Sequence, residues 1–145
     1  GIDRNVPRGL SPEETIEKIH VLGGIAVAVH PYRLSTGVGG DVVRRCKFDA
    51  VEVLNGWAPM RQNARASRLV KELTLGVTAG SDGHRGEEIG KAYGIIYDCE
   101  SEEQIIDVIL KREVKAEGES RTVNALIRDS FEMTADWIKR GFRRL

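Results

Sequence analysis

Three short apolar runs of this chain each end on a polar tip, and that repetition constrains the fold more than any other feature. Ile25–Val29 ends on His30-Pro31, Ala50–Leu54 ends on Asn55-Gly56, and Gly76–Ala79 runs into Ser81-Asp82-Gly83-His84. Runs of four or five such residues have strand length, and a proline directly after His30 cannot continue a central strand. Helical patterns separate them. Ser11-Pro12-Glu13-Glu14 is a helix start, with Ser as cap, Pro in the first turn and acids at the positive end of the dipole, and Ile16, Ile19 and Leu22 give the stripe that follows. A short helix is expected from Asp41 to about Cys46, and a longer one from Met60 to Leu73 with Ala64, Leu69, Val70 and Leu73 apolar.

Beyond the third tip, Ala92–Tyr97 reads as a fourth strand, and Ser101-Glu102-Glu103 caps a helix whose Ile105, Ile106, Ile109 and Leu110 face inward. Val114–Ala116 is a last extended piece, and a C-terminal helix is expected from about Val123 to Arg140. Mostly parallel strands alternating with helices make this an α/β chain, and in such folds chemistry gathers at the carboxyl ends of the strands. His30, Asn55, Asp82 and His84 all belong to that end.

Composition excludes several classes. Lys plus Arg and Asp plus Glu both total 22, so no general attraction to nucleic acid or membrane follows. No apolar run approaches the ~20 residues of a membrane span, and the first residues lack a signal-peptide pattern. Cys46 and Cys99 stand far apart with no C-x-x-C spacing, so neither a zinc ribbon nor a redox dithiol is expected. A reduced, cytoplasmic setting is the simplest expectation.

An Asp and a His two residues apart in extended chain point to one side and can reach one metal ion. Ser-Asp-Gly-His is also a good turn sequence, and His30 at a second tip favours the ligand reading. In their order and spacing, A-V-H-P, V-E-V-L-N-G and G-V-T-A-G-S-D-G-H-R, trailed by E-E-I-G-K-A-Y-G, resemble the PHP superfamily, named for polymerase and histidinol phosphatase. The resemblance covers about residues 1–100. It implies a distorted (β/α)7 barrel that binds two or three metals and hydrolyses phosphoesters, with His30, Asp82 and His84 as metal ligands. PHP barrels open with an H-x-H pair, which this chain lacks, so residues 1–118 are expected to be the C-terminal portion of such a barrel. Residues 119–145 would form a helix that packs on the barrel or on a partner subunit. The resemblance also implies a two-metal site in the parent protein, since three-metal members carry a further histidine in the loop that runs here from Asn55 to Asn63 without one. Because three ligands cannot hold two ions, this fragment is expected to be weak or inactive by itself.

Imidazole nitrogen with carboxylate oxygen suits zinc, manganese or iron rather than calcium. Such an ion activates water as the nucleophile, so no side chain is expected to attack. The substrate class is a small phosphorylated molecule, or a nucleotide or nucleic-acid phosphoester, with Arg33 and Arg85 placed to clamp phosphate and Asn55 to line the site. The loop Gly37–Asp41 lacks the G-x-x-x-x-G-K pattern and is not a nucleotide loop. Glu52 reads first as a polar face residue, the alternative being an acid that orients His30. Trp57 reads as packing on a neighbouring helix in preference to walling a pocket, and His20, beside the first helix's stripe, reads as structural. Two other functions stay open: a non-catalytic PHP-like scaffold that touches RNA through its Arg-rich C terminus, and a flavodoxin-like domain in which His30 and His84 are too far apart to share a metal.

Overall fold

The computed structural model describes residues 1–122, 124, 125 and 138. The expected helix over 123–140, and with it the expected docking helix of the 119–145 segment, therefore lies almost wholly outside the described residues.

Helix α1 (Pro12–Val21) starts as its sequence dictates. Ser11 Oγ accepts the Glu14 amide while the Glu14 carboxylate reaches back to the Ser11 amide, a reciprocal cap. Strand β1 is only Val27–Ala28, shorter than the apolar run from Ile25, and pairs in parallel with β2 (Ala50–Asn55). Helix α2 (Gly40–Arg45) joins them, and α3 (Met60–Leu73) joins β2 to β3 (Gly76–Gly80), again in parallel. The sheet order is β1-β2-β3, with a register shift between Glu52 and Leu54. A shift of that kind re-aims the side chains near the strand's end.

The core lies between this sheet and its two crossover helices. Ala28 and Val51 meet Val43 of α2 and Ala66, Leu69 and Val70 of α3, while Ile16 of α1 packs with Ala26 and Cys46 in a second cluster. Leu69 is 1% exposed, so truncating it to alanine is expected to cost about 2–5 kcal/mol. Gly76 is needed where it stands, because a Cβ there would lie 2.6 Å from the carbonyl oxygen of Ile109. That close approach seats helix α4 (Glu102–Leu110) on the start of β3.

The second half departs from the alternating parallel pattern. β4 (Ala92–Ile95) pairs antiparallel with β5 (Lys115–Gly118), and the two form a separate ribbon against β3. The architecture is thus mixed α/β, with a three-stranded parallel sheet and helices, and no closed barrel is formed by the described residues. Alternation of residue types does not encode strand direction, which is set here by the turn through α4. Helix α4 buries none of its residues, and Ile105 and Leu110 remain 41% and 43% exposed, against the expectation that both face inward. Among the described residues no helix is long and apolar enough to cross a membrane.

Candidate metal centre

The strand tips expected to share a site do lie at the same end of the parallel sheet. His30 follows β1, Asn55 closes β2, and Asp82 and His84 follow β3. Two of these residues hold left-handed backbone, His30 at φ 30° and Asp82 at φ 48°. Such conformations are uncommon for any residue but Gly, though Asp and His adopt them more readily than most, and they persist where surrounding contacts enforce them.

At His30, and at His84 two residues beyond Asp82, the backbone is held by buried acids. Glu52, 8% exposed, points one carboxylate oxygen at the His30 backbone amide, 2.7 Å away, and the same oxygen accepts Asn55 Nδ2 at 3.0 Å. Glu52 is therefore no mere face residue. It orients His30, through the backbone amide and not through the ring. Glu88, 9% exposed, does the same for the other histidine: its Oε2 accepts the His84 amide at 2.8 Å, the Arg85 amide at 3.1 Å and Trp57 Nε1 at 2.9 Å. The Trp57 indole N–H, then the amides of His84 and Arg85, then the charge of Arg121 hold the Glu88 carboxyl down to about 2 from an ordinary 4.5, against burial, which pushes it up.

With the backbones anchored, the rings stay available. His84 Nδ1 lies 2.8 Å from the Asp82 carbonyl oxygen. A carbonyl only accepts, so in the neutral ring Nδ1 carries the hydrogen and Nε2 keeps its lone pair. His30 Nδ1 is buried and meets no partner. Asp82 is engaged differently: its Oδ2 takes Arg33 Nη1 at 2.6 Å, with both side chains about a quarter exposed. Arg33 thus holds an acid of the site through Nη1, a contact the sequence did not indicate. Among the described residues no three His, Cys, Asp or Glu side chains converge in a geometry that holds a metal.

Asn55 does not line an open site. It is 1% exposed, its amide and carbonyl pair with the side chain of Asn63, and its Oδ1 accepts the Trp57 amide at 2.9 Å. Arg85 is exposed, and its amide joins the Glu88 network. Trp57 packs within the site and not on a helix: its ring lies 4.7 Å from that of His84, with Arg121 stacked 3.3 Å from its centroid. Arg121 is brought there by a parallel bridge between Pro59 and Arg121 and by its amide bond to the Ala58 carbonyl. A cleft of about 230 Å³ opens beside Trp57, Ser81, Lys91 and Thr122.

Sequence reading missed Glu88, Asn63 and Arg121. Only Glu88 had a signal, an acid four residues beyond His84. His20 behaves as expected of a structural histidine, its Nε2 lying 2.7 Å from Asp49 Oδ2 at the opposite end of the sheet. A cavity of about 650 Å³ also lies at that end, between α1 and the close of α2.

Residues 60–114 match the family described as PHP-associated, in agreement with the resemblance of this part of the chain to the C-terminal portion of a PHP-type domain. The match includes Asp82, His84 and Glu88 and stops short of His30. The uncharacterized protein MJ1587 of Methanocaldococcus jannaschii is 40% identical over 74 residues, which is 50% of this chain and 43% of the relative. The match thus spans less than half the length of that relative. No solved structure matches the chain.

Proposed function

We propose that this chain carries part of the active site of a divalent-metal-dependent phosphoesterase of the PHP type, with His30, Asp82 and His84 as ligands. The observation that carries the reading is the His84 ring: its Nδ1 is committed to the Asp82 carbonyl, which leaves Nε2 free, the arrangement in which histidines bind metals. The unpartnered Nδ1 of His30 is a second nitrogen in want of a partner. Zinc, manganese or iron fits this donor set, and two ions are proposed for the whole protein. When bound, such an ion acidifies water and polarises a phosphoryl oxygen.

The chain's own residues would do the rest. Glu52 and Glu88 hold the two histidine backbones, Arg33 fixes the Asp82 carboxylate, and Arg33 and Arg85 are the proposed phosphate contacts once substrate enters. Trp57 screens His84 on one side. The substrate is a small phosphorylated molecule or a nucleotide or nucleic-acid phosphoester, and the three parallel strands would belong to a distorted (β/α)7 barrel. Both cysteines are free, which fits a reducing cytoplasm. The 119–145 segment is proposed to dock on the barrel or a second subunit.

Chelation of the full-length protein should abolish hydrolysis of a phosphomonoester such as p-nitrophenyl phosphate, and added Mn²⁺ or Zn²⁺ should restore it. A full-length protein that takes up no transition metal would rule this reading out. The pairing of Asp82 with Arg33 favours a second reading, a PHP-like scaffold without catalysis that contacts RNA, and salt-sensitive RNA retention without metal uptake would select it.

A further inference from the structure

Each candidate ligand histidine has its main-chain amide bonded to a buried glutamate: His30 to Glu52 and His84 to Glu88. The Glu88 case is the more complete. Three N–H groups from two separate loops converge on the single oxygen Oε2, while Oε1 lies 3.7 Å from Arg121. One end of that convergence is the β2–α3 loop, through Trp57, and the other is the turn that carries His84. Glu88 begins no strand and lies at the end of the short 3₁₀ turn Gly86–Glu88, so no ladder explains its burial. A buried carboxylate is retained when its hydrogen bonds are good, and here they are spent on fixing the His84 backbone against the Trp57 ring.

We infer that Glu88 is a positioning residue, which sets the direction of the His84 ring by clamping its backbone amide and the Trp57 indole to one oxygen. The inference rests on the metal reading for its purpose and on the hydrogen bonds alone for its geometry. Reach, not charge, does the work. Three donors need an acceptor at the distance a glutamate side chain provides, and a glutamine offers the same oxygen at the same distance. An aspartate keeps the charge and falls one methylene short.

The pair Glu88→Gln and Glu88→Asp separates the two possibilities in the 145-residue chain, titrated with Zn²⁺ and followed by amide hydrogen exchange at His84 and Arg85. Trp57 emission, in a Trp137→Phe background, reports the indole contact. Glu88→Gln should bind Zn²⁺ within about threefold of the parent and keep both amides protected. Glu88→Asp should bind about tenfold or more weakly, with faster exchange at both amides and a shifted Trp57 emission. The reverse order, which would assign the effect to charge, overturns the inference, as do two variants indistinguishable from the parent. A parent chain that binds no Zn²⁺ would count against the metal reading alone, and the exchange and emission data would still decide the role of Glu88.

Discussion

The two ends of the parallel sheet use the same residue types to opposite effect. At the amino end, Asp49 takes the His20 ring at 2.7 Å and the Ala26 amide at 2.7 Å, so the imidazole is consumed in joining α1 to the sheet. At the carboxyl end, Glu52 and Glu88 take the backbone amides of His30 and His84 and leave the rings alone. On the proposed reading, what an acid grips, ring or backbone, separates a bracing histidine from one held ready for a ligand. Exposure does not make that distinction, since both His20 and His84 are exposed.

Replacing His84 with alanine should give the largest effect. Zn²⁺ affinity is expected to fall about 100-fold or more, while thermal stability moves by no more than about 0.5 kcal/mol, because the ring is exposed. A stability loss that matched the binding loss would break the comparison. Acid unfolding comes next. The folded Glu88 carboxyl titrates near 2, below its ordinary 4.5, so its contribution is complete above about pH 4.5 and disappears as pH falls toward 2. That contribution is on the order of 2–3 kcal/mol, and Glu88→Gln should flatten this part of the acid limb in urea titrations at stepped pH.

His20→Ala should cost about 1 kcal/mol, seen as a Tm lower by roughly 3 °C, with Zn²⁺ affinity unchanged. A change in affinity there would show that the two ends are coupled. Smallest is the surface: the two-pronged Arg44 to Glu72 pair between α2 and α3 is solvent-exposed, so breaking it should move stability least of all, and its effect should fade in 0.5 M NaCl.

The tips were legible in the sequence because each apolar run stopped abruptly on a polar residue, and the helices because their caps and stripes agree. What escaped the sequence reading was partner choice. Glu52 inside an apolar strand can face several ways, and its role follows from the His30 amide, which lies past the end of β1 and has no strand partner. Asn55 at a tip looked like a lining residue until Asn63 of α3, eight positions on, claimed its amide and carbonyl. The β4–β5 ribbon was missed because Ala92–Tyr97 carries no mark of direction. In α4 the spacing of Ile105 and Leu110 indicates only that a face is apolar, not that anything covers it.

The bridge from Pro59 to Arg121 has a mechanical meaning. The backbone bond from Arg121 to Ala58 and the side-chain bond from Asn63 to Ser120 join two points far apart along the chain, immediately beneath Trp57. Tension applied from the carboxyl-terminal side of Arg121 would reach the indole and the Asn63 bracket before it reached any strand of the parallel sheet. Among the described residues, the wall of the candidate site is thus the first joint that a pull passing through Arg121 would meet.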